Sequence, residues 1–142
     1  MAIHTDWVIA CQTALVDRLS GKVSLIGVLE TLQMPRFPCE LPPFYVVALW
    51  HNATDMVSAA QLRIEVEEYG EPNSAVLSEE HIEFQGHVGH RTICLVPALT
   101  VSRPGRYRIV AKQLGPDGDV CQQRTHTLIV TAVHHGRGQA QA

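Results

Sequence analysis

The strict two-residue alternation at 61–69 constrains this chain most, because it recurs in weaker form along the sequence and no helical period replaces it. Leu62, Ile64 and Val66 alternate there with Arg63, Glu65 and Glu67. Successive side chains of an extended strand point to opposite faces, so this segment reads as a strand with one buried and one wet face. Similar signals predict about eight strands: 7–17, 22–32, 44–51, 61–69, 75–85, 91–101, 105–114 and 119–133. Ser20-Gly21, Gly70-Glu71-Pro72-Asn73-Ser74 and Gly115-Pro116-Asp117-Gly118 separate them with turn chemistry. The segment 34–43 carries Pro35, Pro38, Pro42 and Pro43. Proline lacks a backbone donor and fixes φ, so this stretch reads as an extended crossing between two sheets, not a central strand. Residues 52–60 have room for one short helical turn capped by Asp55. Strands at this spacing without interleaved helices predict an all-β, antiparallel β-sandwich. In that frame Leu62, Ile64, Val66, Ile82, Tyr107 and Ile109 face the core, and Arg63, Glu65, Glu67, Arg106 and Arg108 face out. Residues 1–133 read as one domain and 134–142 as a flexible tail.

Composition agrees with a packed core: 46% of the 142 residues are hydrophobic and 18% charged. The net charge of −3 lacks the basic excess of a nucleic-acid binder, so no nucleic-acid partner is expected. The densest apolar stretch, 44–50, is far too short to cross a bilayer, so no membrane partner is expected either. Asp6 and Gln12 flank and interrupt the first apolar run, which does not read as a signal peptide. Cys11, Cys39, Cys94 and Cys121 are widely spaced, with no C-x-x-C pair, and read as reduced thiols of a cytoplasmic protein.

Three pieces in order carry a resemblance: Asp17 with Gly21-Lys22-Val23 and Leu25-Ile26-Gly27, then Pro35-Arg36-Phe37-Pro38 with Leu41-Pro42, then Pro104-Gly105-Arg106-Tyr107. Together they resemble a family of small bacterial β-sandwich proteins of unknown function, over about 7–133. The Pro-Gly-x-Tyr step is shared by many immunoglobulin-like sandwiches, so the resemblance implies an immunoglobulin-like fold and no activity.

Three constellations carry chemistry. His81, His87 and His90 lie close together, with Glu79 and Glu83 beside them. Imidazole and carboxylate suit a divalent zinc, iron or manganese ion, with Glu79 or Glu83 orienting a ring from outside. The spacing matches neither H-x-H nor H-E-x-x-H, and a polar strand face beside a polar loop is the expected reading. Arg103, Arg106, Arg108 and Lys112 form a basic stripe that could meet a phosphate, with pairing to Glu65 or Glu67 across the sheet as the expected alternative. Among the aromatic residues, Trp50 and Tyr69 near strand ends are candidates for a sugar platform, and core packing is expected for most.

No nucleophile elbow or phosphate-cradling glycine loop exists in the sequence. The expected function is therefore a non-catalytic domain that works by contact with a protein partner or as a homo-oligomer. A metal-binding protein or metal-dependent enzyme built on His81, His87 and His90 is one alternative. A small-ligand or sugar-binding module is another. Thiol titration of the denatured protein without reductant is expected to find all four cysteines; fewer would contradict the reduced state.

Overall fold

The computed structural model describes residues 3–133. Eleven strands follow in order: β1 (Ile3–Val16), β2 (Val23–Val28), β3 (Thr31–Met34), β4 (Cys39–Leu41), β5 (Phe44–Asn52), β6 (Ser58–Glu68), β7 (Ser74–Phe84), β8 (Gly89–Val96), β9 (Leu99–Val101), β10 (Gly105–Leu114) and β11 (Val120–Ala132). No helix occurs among the described residues. One sheet has the order β2-β1-β5-β8, a second β3-β11-β10-β6-β7, and β4-β9 form a short ribbon. The two large sheets pack face to face as an antiparallel, immunoglobulin-like sandwich. The first contributes Val8, Ala10, Phe44, Val46, Ala48 and Trp50 to the core, and the second Leu62, Ile64, Tyr107, Ile109, Leu128 and Val130. Tyr107 Oη donates to the Arg103 carbonyl at 2.6 Å, the backward tie of a tyrosine corner at the start of a sandwich strand.

More strands exist than the alternation predicts because two of the expected strands change partners midway and the proline segment itself contributes β4. The run 22–32 divides at Leu29 and Glu30, where the chain leaves β1 and β3 joins β11 in the other sheet. The run 91–101 divides before β9, which pairs with β4 inside the proline segment. That segment carries the chain from β3 in one sheet to β5 in the other, as its prolines imply. The β3–β11 pairing is parallel, an exception to the expected antiparallel pairings. The helical turn expected at 52–60 does not form. Instead the Asn52 side chain takes hydrogen bonds from the Thr54 N–H and hydroxyl at 3.2 and 3.1 Å and donates to the Met56 carbonyl at 2.8 Å. Asn side chains that bond their own backbone two residues on compete with helix in this way.

Leu62, Ile64, Val66, Tyr107 and Ile109 are buried, and Ile82 packs against the core while partly exposed. Arg106 is exposed, and Arg63, Glu67 and Arg108 are half-buried on the outward face. Glu65 corrects the expectation: it points outward but is only 4% exposed. The pairing of β6 with β7 shifts register at Ile64/Glu65, and Arg63, Ser74 and Lys112 close around the carboxylate. The tail 134–142 lies outside the described residues. Ile64→Ala, which empties the fully buried centre of β6, is expected to lower stability by about 2–5 kcal/mol in urea unfolding; a loss under about 1 kcal/mol would contradict the packing.

Candidate functional site

The histidines do not form one ligand set. His81 projects from β7, paired with Gln61 of β6 and exposed. His87 lies in the β7–β8 loop with Nε2 2.8 Å from Asp55 Oδ1. His90 belongs to β8, in the other sheet, with Nε2 3.1 Å from Glu80 Oε2. Glu79 is taken up by Gln61 and Arg63, and Glu83 by Gln85. Among the described residues no group of three or more His, Cys, Asp or Glu side chains is placed to hold a metal ion.

Sequence reasoning missed Glu80. It shares the inward parity of Ile82 and Phe84, and a carboxylate at a core-facing position was the available signal. Its Oε1 accepts from the Thr92 hydroxyl, which in turn accepts from Trp50 Nε1 at 3.0 Å. Trp50, Thr92, Glu80 and His90 thus tie β5 and β8 of one sheet to β7 of the other. Cys94 Sγ adds a weak donation to the Leu77 carbonyl at 3.6 Å on the same side. Burial and then the Glu80 charge push the Cys94 thiol up, and burial raises Cys11 as well. Neither is an activated nucleophile, since reactivity needs the thiolate.

The outward faces of the two sheets differ. On the five-stranded sheet, opposite charges meet across strands: Arg108 with Glu67, Lys112 with Glu65 at 2.7 Å, and Arg63 with Glu79 at 3.2 Å. Arg106 and Arg108 also lie over the exposed Tyr69 ring, at 5.1 and 5.3 Å. Arg103 pairs with Glu68 and Glu71, so three of the four cations of the basic stripe are ion-paired and Arg106 lies over Tyr69; Trp50 is a core residue.

The four-stranded sheet turns an apolar face outward. Cross-strand partners on that face include Cys11 with Val28, Thr13 with Ile26, Ile9 with Val47, and Val47 with Ile93. Arg91 shares the parity of Ile93 and Leu95 there. Its two guanidinium nitrogens donate to the Gly21 carbonyl at 3.1 and 3.2 Å. Gly21 is the tip of the β1–β2 hairpin. Trp7, Leu49 and Arg91 lie at one level of the sheet. A straight β1 would carry the tip more than about 30 Å past that level. The hairpin therefore turns back over the sheet, and Arg91 pins its tip. Val47 and Cys11 share the outward parity of this face yet are fully buried. Leu15, Val16, Leu19, Ile26 and Val28 of the hairpin region remain exposed, as do Ile93 and Leu95 on β8 of the same sheet. Leu19, at 98% exposure, stands clear of the surface.

A family model described as a family of unknown function (DUF6941) matches residues 6–125. No curated protein matches the chain. Among solved structures, the chain is similar to a β-glucosidase from Erythrobacter marinus, at 8% identity and a TM-score of 0.55, over 92% of this chain and 15% of that one. A β-glucosidase from Listeria innocua gives 10% and 0.50, over 91% and 16%. A β-D-glucoside glucohydrolase from Trichoderma reesei gives 12% and 0.50, over 91% and 19%. At such identities the likeness is one of fold alone, and the chain spans 15–19% of the length of these proteins.

The paired face makes a pH prediction. Burial alone would raise the Glu65 pKa, but hydrogen bonds from Lys112 and Ser74, the Lys112 charge and Arg63 together hold it below the usual carboxylate value. A carboxyl depressed in the folded state adds stability above its unfolded pKa of about 4.3. That stability is lost as pH falls through the lower folded value. Lys112→Ala is expected to lower stability by about 1–3 kcal/mol near pH 7. The difference should shrink as pH falls through the folded value of Glu65, below which the carboxyl is protonated in both states. Urea unfolding at pH 7 and at successively lower pH decides; an equal loss throughout would contradict the assignment.

Proposed function

The chain belongs to this family of unknown function (DUF6941), and from that premise we propose that it is a non-catalytic assembly domain whose contact element is the β1–β2 hairpin and the adjoining β8 surface. The observation that supports this reading is the contrast between the two outward faces. One is closed by cross-strand ion pairs; the other gathers Leu15, Val16, Leu19, Ile26, Val28, Ile93 and Leu95 as exposed apolar residues in one region. Exposed apolar residues occur elsewhere too, Val76 and Ile129 of the five-stranded sheet among them, but these seven fall on one hairpin and one strand of a single sheet, and such grouping supports a contact surface. Leu19 adds to the argument. A leucine held clear of the protein by a pinned hairpin gains nothing in the monomer and gains burial only against a partner. The hairpin is also well defined for contact: Asp17 accepts from the Ser20 backbone and hydroxyl, and Arg91 fixes the tip. Pre-organisation of this kind lowers the ordering cost of binding.

Photo-crosslinking in the native cells tests this. A photoreactive phenylalanine analogue at Leu19 is expected to capture a discrete protein species, which includes a second copy of the chain. The same analogue at Thr127, on the ion-paired face, is expected to capture none. Equal capture at both positions, or none at either, would contradict the assignment of the hairpin as the contact element.

A further inference from the structure

We propose that the tip of the β1–β2 hairpin docks head-to-tail into a groove on a second copy of this chain, at the β6–β7 end of the ion-paired face, with Leu19 as the inserted side chain. This rests on the hairpin being the contact element, and it names the partner and the surface that receives it.

The tip is a cationic knob. Leu19 is 98% exposed, and Arg18 and Lys22 beside it in the turn are exposed as well. Arg91 adds a third guanidinium at the Gly21 carbonyl. Among the described residues none of these three cations is in an ion pair. Asp17, the one carboxylate of the turn, accepts from the Ser20 N–H and hydroxyl. The Gly21 N–H donates to the Asp17 carbonyl at 2.8 Å, and the Asp17 N–H to the Lys22 carbonyl at 2.8 Å. Leu19 is thus presented by a turn that is already ordered.

The groove has the opposite character. It measures about 460 Å³ and opens on the outward face of the five-stranded sheet, next along from the Arg63 and Lys112 level. The cross-strand pairs Ala59 with Glu83 and Gln61 with His81 line it, and Leu114 and Pro116 at the end of β10 wall it. Ala59 is the reason for the dip, since a longer side chain there would fill it. Glu83 stands at the groove, and Asp117 and Asp119 follow in the turn that continues from Pro116. All three carboxylates are exposed, and among the described residues none is in an ion pair. Arg63 and Lys112, the cations next along this face, are already held by Glu79 and Glu65.

Knob and groove therefore match in two independent respects. Apolar wall meets the apolar side chain that the monomer leaves in water. Three free cations meet three free carboxylates, which favours this orientation of approach. One chain cannot make the match within itself. Arg91 holds the tip over the outward face of the four-stranded sheet, and the groove opens on the outward face of the other, with the core between them. Each copy so presents one knob and one groove, and a head-to-tail contact of this kind closes into a ring or continues as a chain.

Sedimentation of the purified full chain from about 1 to 200 µM tests the proposal, over the affinity range of a modest interface. The unmodified chain is expected to form assemblies that grow with concentration. Leu19→Asp removes the knob and Ala59→Trp fills the groove, both at exposed positions. Each is expected to weaken assembly more than about tenfold. Glu83→Arg is expected to weaken it about three- to tenfold and reads the groove without a bulky side chain. Leu19→Asp and Ala59→Trp mixed one to one are expected to form a dimer and nothing larger, because the knob of the second still fits the groove of the first. A monomer throughout the range, assembly indifferent to both Ala59→Trp and Glu83→Arg, or a mixture that stays monomeric overturns the proposal. Discrete capture at Leu19 in the native cells by a chain that is monomeric alone overturns the self-docking and leaves the hairpin as the contact element. Equal capture at Leu19 and Thr127 overturns the hairpin reading and the self-docking together.

Discussion

A two-layer sandwich covers one face of each sheet, and every other feature of this protein follows from how the two remaining faces are treated. Water must wet an outward face, or chain must cover it. The five-stranded sheet takes the first course, with Arg63 and Glu79, Glu67 and Arg108, and Glu65 and Lys112 paired across strands. The four-stranded sheet takes the second, in part. Its own β1–β2 hairpin returns over it, held by Arg91 at Gly21, and Val47 and Cys11 on that face are buried. The cover is narrower than the face, and the apolar residues it leaves exposed are the main argument for a contact function.

The sides of the sandwich are as unequal as its faces. At β7 and β8 the two sheets are tied by Trp50, Thr92, Glu80 and His90, so those edges face each other. At the opposite side the chain crosses between sheets at Leu29 and Glu30, leaving β2 at the end of its sheet. His126 Nε2 lies 2.6 Å from the Leu29 carbonyl and fixes that crossing. One side is closed by a polar network and the other presents an uncharged strand. The comparisons bring a fold and no activity, so the functional argument rests on this asymmetry.

Much of the fold was legible in the sequence because a half-buried strand writes its two faces into alternate residues. Leu62, Ile64 and Val66, like Tyr107 and Ile109, needed no more than that period. Strand partners were less legible. The runs 22–32 and 91–101 are continuous in pattern, yet each changes partner midway, since alternation records burial and not which strand lies alongside. Glu65 reads as a solvated residue until a bulge and three neighbours close over it. The histidine cluster misled for a related reason. His81, His87 and His90 are close in sequence but belong to one sheet, a loop and the other sheet, so proximity along the chain is not convergence. The hairpin's return was invisible, because it depends on a long-range contact between Arg91 and Gly21.

Amide hydrogen exchange, compared between the purified protein and the protein held in an extract of its native cells, tests the central claim most directly. The account predicts that protection at 16–23, around Leu19, rises in the extract, because a contact surface hides its N–H groups from solvent. Exchange at 16–23 that is fast and equal in both would contradict it.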